Sequence, residues 1–331
     1  MKPPSLFSFA TSELSQDAFI GWLLAWASPE YESADKDLHE CGANFVRALF
    51  SKHGKDAPSQ IEKVEVRVRE NHIDVLCVIN GTYPILIEDK IGTKNHSNQL
   101  SRYLKDVRDM EYKQGNIIPI YFKTEDQANY CDVLGKGYKP FLRADFIKVL
   151  NVYDGTNAIL VDYRNHLQSI SCAVDNYKSR PIEKWVWHSW IGFFLELQKE
   201  LEQLEKNCWD YVPNPSGGFL GFWWASQGND NCSQYLQLEK KKLCFKISVG
   251  ESSPDERRFL TSKWYEIVRA KGQEYGLDLV RPRRFGHGRC MTVCVFNGDY
   301  RESDNDVIDM EKTVARLRKA ECLLKSVDQN A

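Results

Sequence analysis

Asp74, Glu88 and Lys90 are the residues of this 331-residue chain whose types and spacing suit chemistry. They place two carboxylates and an ammonium inside one stretch, residues 72–103, HIDVLCVINGTYPILIEDKIGTKNHSNQLSRY. Carboxylate oxygens hold hard divalent cations such as Mg²⁺. A cation so held makes water nucleophilic and offsets charge building on a phosphoryl oxygen. The elements beneath must bring these groups together. Ile73, Val75, Cys77 and Ile79 alternate with Asp74, Leu76 and Val78, a strand pattern that ends at the turn Asn80-Gly81. A second strand follows from Pro84 to Lys90, and its side-chain period of two sets Glu88 and Lys90 on one face and Asp89 on the other. Glu88 and Lys90 then converge while the Asp89 side chain points away. Glu and Lys ending a strand also fit an ordinary solvent-facing ion pair. Asp74 within an apolar strand is less ordinary, because a buried carboxylate is costly without a partner.

With these residues the chain resembles the PD-(D/E)xK nuclease superfamily, whose signature is an Asp on one strand of a hairpin and Glu-x-Lys at the end of the next. Ile73 stands where the family usually has proline, a departure that leaves the chemical groups in place. Downstream, Gln99-Leu100-Ser101-Arg102-Tyr103 is similar to the Gln-x-x-x-Tyr of the RecB-type branch, and residues four apart share a helix face. The motifs span roughly residues 13–125. The resemblance implies a metal-dependent hydrolysis of DNA phosphodiester bonds, with Mg²⁺ or Mn²⁺ on Asp74, Glu88 and the backbone carbonyl of Asp89. It also implies that Lys90 orients or deprotonates the attacking water, that Gln99 and Tyr103 shape the site, and that the setting is bacterial or phage genome defence or repair. The rival implication is a catalytically silent scaffold of the same fold that binds nucleic acid or protein.

A further carboxylate is expected from the N-terminus. TSELSQDAFIGWLLAWA reads as a helix, with Ser12 or Ser15 as cap and an apolar stripe of Phe19, Trp22, Leu23 and Trp26. Glu13 and Asp17 share one of its faces, and Glu13 matches the acidic position that many members of the superfamily bring to the metal. Acidic residues in a first turn also stabilise the helix dipole without further function. Lys94, Asn95, His96 and Asn98, then Arg102, Lys105 and Arg108, are candidates for holding a phosphate backbone. Cations on a helix equally suit a solvated face.

Composition sets bounds. With 44 Lys and Arg against 46 Asp and Glu the net charge is −2, which is not the overall basic footprint of a duplex-coating protein. Binding of nucleic acid, the expected partner, must then come from a local surface and the metal. The ten cysteines include no CxxC pair, which argues against zinc, and Cys290 and Cys294 are expected on one strand face. The start has no signal-peptide pattern and no run is long enough to span a membrane, so cytoplasmic residence is expected. A homodimer is compatible with the sequence.

The expected fold class is α/β: a restriction-endonuclease-like mixed sheet flanked by helices over 1–155, a helical spine over 156–207 packing on it, and a smaller α+β domain over 208–331 for substrate binding, sensing or partner binding. In the core, helices fall near 15–27, 37–53, 97–110 and 143–151, with strands at 63–70, 72–80, 85–90 and 117–123. Trp185, Trp187, Trp190, Phe193, Phe194 and Leu197 are too many for one stripe, so their helix should pack on more than one side. NCWDYVPNPSGG reads as a boundary. Strand patterns follow, with helices near 255–274 and 304–325. Between the last strands, RPRRFGHGR gathers Arg281, Arg283, Arg284, His287 and Arg289, a loop suited to gripping phosphates or to lying solvated.

Overall fold

The computed structural model describes residues 4–70, 72–94, 98–201, 208–214, 217–228, 232–286 and 288–328. Asn95, His96 and His287, named above, lie outside them. The chain divides into two compact units, residues 1–126 with 130–171, and residues 127–129 with 172–331. The stretch 156–207 contributes to both.

The first unit opens with helix α1 (Glu13–Ala25), where Ser12 is the N-cap and accepts from the Ser15 amide. Helix α2 (Lys36–Ser51) follows, capped by Asp35. Strands β1 (Val64–Glu70), β2 (Ile73–Ile79) and β3 (Tyr83–Lys90) form an antiparallel meander. Helix α3 (Gln99–Asp109) leads to strand β4 (Ile118–Lys123), parallel to β3. Helix α4 (Cys131–Gly135) and strand β5 (Lys139–Leu142), parallel to β4, come next. The result is a five-stranded mixed sheet in the order β1-β2-β3-β4-β5, with helices α5 (Arg143–Leu150) and α6 (Ala158–Asp175) after it. Both α4 and β5 escape the sequence pattern, because each is only a turn or four residues long and β5 carries Pro140.

The alternation read in β2 and β3 has a structural cause: both strands are covered on two sides. Val75, Cys77, Ile85 and Ile87 pack with Phe19, Leu23, Phe45 and Phe122, while Leu76, Val78 and Leu86 pack with Leu100, Tyr103 and Tyr121. Strand β1 lies at the sheet edge: residues 64–67 are half-buried and Val68, Arg69 and Glu70 are exposed, so the alternation expected from its charges does not carry through the strand.

Gly42 sets how closely α2 approaches α1. A Cβ there would stand 2.7 Å from both the Ala27 amide nitrogen and the Leu23 carbonyl oxygen, which are backbone atoms that cannot swing aside. Gly42→Ala is therefore expected to cost about 1–3 kcal/mol through overpacking, read as a lower urea midpoint. An unchanged midpoint would show that the helices part freely.

In the second unit, helix α7 (Trp187–Glu200) buries Trp190, Phe193, Phe194 and Leu197, while Trp187 is exposed. Strands β6 (Trp209–Val212), β7 (Phe219–Gly228), β8 (Cys232–Glu239) and β9 (Lys242–Val249) precede helix α8 (Pro254–Glu274). Strands β10 (Leu279–Val280) and β11 (Cys290–Phe296) complete a six-stranded antiparallel sheet in the order β10-β11-β9-β8-β7-β6. Strand β6 occupies part of the segment read as a boundary. Short strands β12 (Ser303–Asp304) and β13 (Val307–Ile308) pair around Asn305 and Asp306, both with positive φ, and helix α9 (Met310–Asp328) follows. This hairpin delays the last helix to residue 310, six residues later than its expected start. The pairing of Cys290 and Cys294 on one face is corrected as well. A register shift between Thr292 and Cys294 turns the strand, so Cys290 is exposed and Cys294 buried. Among the described residues no helix is long and apolar enough to cross a membrane.

Candidate active site

Strand pairing puts the first two acidic groups side by side. Val75 pairs with Ile87, so Asp74 and Glu88 are the next residues along the two strands, on the face that carries Leu76 and Leu86. Both are almost wholly buried. Asp74 Oδ2 accepts from the Asp89 amide at 2.8 Å. Lys90 shares their face, as the period of two requires. Its ammonium is ion-paired with Glu88 Oε1, donates to the Asp89 carbonyl at 2.7 Å, and lies 3.7 Å from Asp74 Oδ2. The first residue of α1 completes the ring, with Glu13 Oε2 3.8 Å from the ammonium. Glu13 Oε1 is held by Thr93 Oγ1 at 2.6 Å and the Ile91 amide at 3.3 Å, in the loop after β3.

The electrostatics follow from that burial. Desolvation first, and the Asp74 charge second, push the Glu88 carboxyl up to about 7 against the pull of Lys90. Burial disfavours the Lys90 charge, yet Glu88, Asp74 and Glu13 together outweigh it and raise its pKa.

Behind the strand, the Asp89 side chain faces α1. Gln16 Nε2 donates to Asp89 Oδ1 at 2.5 Å, and Gln16 Oε1 accepts from Thr124 Oγ1 and the Tyr163 hydroxyl, each at 2.8 Å. Burial and the neighbouring Asp17 charge hold the Asp89 carboxyl well above the usual carboxylate range. Asp17 itself is raised to about 6, by burial first and Asp74 second. Arg69, which lies between the Val68–Val75 and Glu70–Ile73 pairs of the β1–β2 register, grips both acids: its Nε is 2.6 Å from Asp17 Oδ2 and one terminal nitrogen 2.8 Å from Asp74 Oδ1. Its backbone has φ +57°, a conformation uncommon outside glycine.

Lys123 ends β4 beside Lys90 and is buried. Its ammonium donates to the carbonyls of Ile91 and Thr93 at 2.6 Å, which pins the loop that holds Glu13. Desolvation lowers it to about 8.

The remaining sequence candidates lie further out. Gln99 Nε2 donates to the Tyr103 hydroxyl at 3.1 Å, so the pair does share a helix face. The Tyr103 ring packs with Ile73, Leu76 and Leu86, on the same side of the sheet as Asp74 and Glu88. Arg102 is exposed, with its guanidinium 5.1 Å from the centre of the Tyr103 ring. Among the described residues it makes no ion pair with the acidic cluster. Lys94 is partly exposed in the loop after β3.

A model of the PD-(D/E)XK nuclease superfamily matches residues 6–186, more than half of the chain. The chain belongs to that superfamily. The fold agrees: the first unit is the restriction-endonuclease-like α/β sheet expected of a PD-(D/E)XK protein, with the hairpin acids at its centre. No curated protein and no solved structure matches the chain. Members of the superfamily are generally nucleases, act on nucleic acid and typically use divalent metal ions.

The donors present fit such an ion. The Lys90 ammonium already stands in for a cation, surrounded by oxygens of Glu13, Asp74, Glu88 and the Asp89 carbonyl. Glu88 Oε2 is buried and has no hydrogen-bond partner among the described residues. Two carboxylates and a carbonyl make the hard-oxygen set that Mg²⁺ takes with the balance from water and substrate. Among the described residues no three His, Cys, Asp or Glu side chains form a ready-made cluster.

Gln16, Arg69, Lys123 and Tyr163 were not singled out by the sequence. Gln16 had a local signal, three residues after Glu13 on the helix face already read for Asp17. Lys123 had a weaker one, a lysine ending an apolar strand. Arg69 reads as one more solvent-facing charge of an edge strand. Tyr163 reaches Gln16 across 147 positions of sequence, which no local pattern encodes.

Proposed function

We propose that this PD-(D/E)XK protein hydrolyses DNA phosphodiester bonds with Mg²⁺ or Mn²⁺, as a nuclease of genome defence or repair. The observation that carries the reading is the burial of Asp74 and Glu88 side by side around the Lys90 ammonium. Asp74, Glu88 and the Asp89 carbonyl would hold the ion, with Glu13 the nearest further carboxylate. Such an ion, when bound, supplies an activated water and neutralises charge on the phosphoryl oxygens. Lys90, released from Glu88, would hold the attacking water or the phosphate oxygen. Gln16 fixes Asp89 from behind and so holds the carbonyl in place. Arg69 orients Asp74. Gln99 and Tyr103, with Lys94 and Arg102 on the outer surface, would contact the substrate. In this reading the first unit carries the chemistry, and the second binds substrate or partner.

Purified protein with supercoiled plasmid is expected to convert it to nicked or linear forms in Mg²⁺ or Mn²⁺ and to leave it intact in EDTA. Equal conversion in EDTA would sink the metal-dependent mechanism. No conversion with either ion, on linear or single-stranded DNA as well, would favour a silent scaffold.

A further inference from the structure

The six-stranded sheet of the second unit has two unlike faces. Phe222, Leu238 and Leu243 form one cross-strand row and Trp224, Leu236 and Phe245 the next, all in the core with α7, α8 and α9. The opposite face reads Trp223, Gln237, Cys244 in one row, Tyr235, Lys246, Thr292 in the next, and Ser233, Ser248, Cys290 in the third. A polar face of this kind has no need of two large aromatic residues at its centre. Trp223 and Tyr235 are nevertheless only half-buried and line a cavity of about 310 Å³ with Gln237, Ser248 and Cys290.

Beside that cavity lies a second, of about 670 Å³, lined by Lys242, Cys244, Thr292, Arg281, Arg283 and Arg284. Gln237 of the first pairs with Cys244 of the second, so the two cavities lie side by side on this face of the sheet. Its charge is strongly one-sided. Glu239 is the acidic residue lining the second cavity, and Lys246 neutralises it at 3.2 Å. Lys242, Arg283 and Arg284 are exposed and, among the described residues, make no ion pair. Arg281 is held in place over the Phe285 ring at 4.2 Å.

We propose that this sheet face binds single-stranded nucleic acid, with bases stacked on Trp223 and Tyr235 and phosphates held by Lys242, Arg283 and Arg284. Every base offers a flat face to an aromatic ring, and a strand's phosphates follow a cationic track. A duplex hides its base faces, so the rings select single strands. The proposal rests on reading the chain as one that acts on nucleic acid, and it assigns the second unit a role of its own.

The test is fluorescence anisotropy of the full chain with a labelled twenty-nucleotide oligothymidylate in EDTA, where binding is read without cleavage. Tyr235→Ala is expected to weaken binding at least about fivefold, the lower end for one stacked base, and Tyr235→Phe to retain it. Arg283→Glu with Arg284→Glu lies in an exposed loop and should flatten the slope of log affinity against log salt by about 0.7 per lost phosphate contact. Wild-type affinity in Tyr235→Ala together with an unchanged salt slope in the arginine variant would overturn the proposal. So would tighter binding of a twenty-base-pair duplex than of the single strand. Loss of binding in Tyr235→Phe equal to that in Tyr235→Ala would mean a folding defect and also count against stacking. Failure of the hydrolysis reading looks different: binding intact in these assays and no plasmid cleavage with any metal.

Discussion

Lys90→Ala should lower plasmid cleavage by about two to three orders of magnitude, the usual loss when one preorganised electrostatic contact is removed from an active site. Asp74→Ala should do at least as much, because it takes away one of the two central carboxylates. The two variants part company in stability. The Lys90 ammonium sits among Glu88, Asp74 and Glu13. Removing it leaves the buried Glu88 carboxylate without its counter-ion, which costs about 3–5 kcal/mol. A divalent cation held as proposed would supply the missing charge at the same place, so Mg²⁺ should raise the urea midpoint of Lys90→Ala more than that of the wild type. Asp74→Ala removes an acid instead and should respond to Mg²⁺ less than the wild type. Cleavage rates and urea midpoints in EDTA and in Mg²⁺ check both halves. Equal Mg²⁺ responses in all three proteins would place the cation elsewhere, and wild-type cleavage by Lys90→Ala would remove it from the chemistry.

The two faces of the hairpin strands explain why the clustering of the candidate residues was legible in the sequence and their support was not. Asp74, Glu88 and Lys90 lie within seventeen residues on paired strands, so a side-chain period of two decides which of them meet. Glu13 needed one further element, a capped helix start, and that too is a local pattern. The expected core elements recur within a few residues of their predicted ends. The network behind Asp89 was hidden for the opposite reason. Gln16, Thr124 and Tyr163 come from α1, the segment after β4 and α6, and only the packing of those elements brings them together. Arg69 was hidden by its backbone, since an extended residue there would follow the alternation of β1, whereas φ +57° accompanies its reach to Asp17 and Asp74. The missed strands β5 and β6 are four residues each, too short to show a period.

Without a divalent cation the protein should lose stability as pH rises from about 4.5 to 7. The carboxyl of Glu88 is raised from 4.5 to about 7, so the folded chain holds that proton more tightly than the unfolded chain. Its contribution is then full below 4.5 and gone above about 7. The size is on the order of 3 kcal/mol, since each pKa unit of difference is worth about 1.4 kcal/mol. Asp17, raised from 3.8 to about 6, acts in the same direction, and so does Asp89. Lys90, raised above 10.5, stays charged throughout and adds no slope. Lys123, lowered to about 8, acts only above the window, and His53 and His166, both lowered by burial, oppose the fall in its upper part. A divalent cation held as proposed would favour the ionised carboxylates, so Mg²⁺ should flatten the fall, and its affinity should climb over the same interval. Thermal midpoints in EDTA and Mg²⁺ between pH 4 and 7.5, for the wild type and Glu88→Gln, measure this directly. The amide cannot ionise, so its EDTA curve should be the shallower of the two. Parallel curves for the two proteins would mean that Glu88 is ionised in the folded chain without a metal, and that the carboxylates are settled by Lys90 alone.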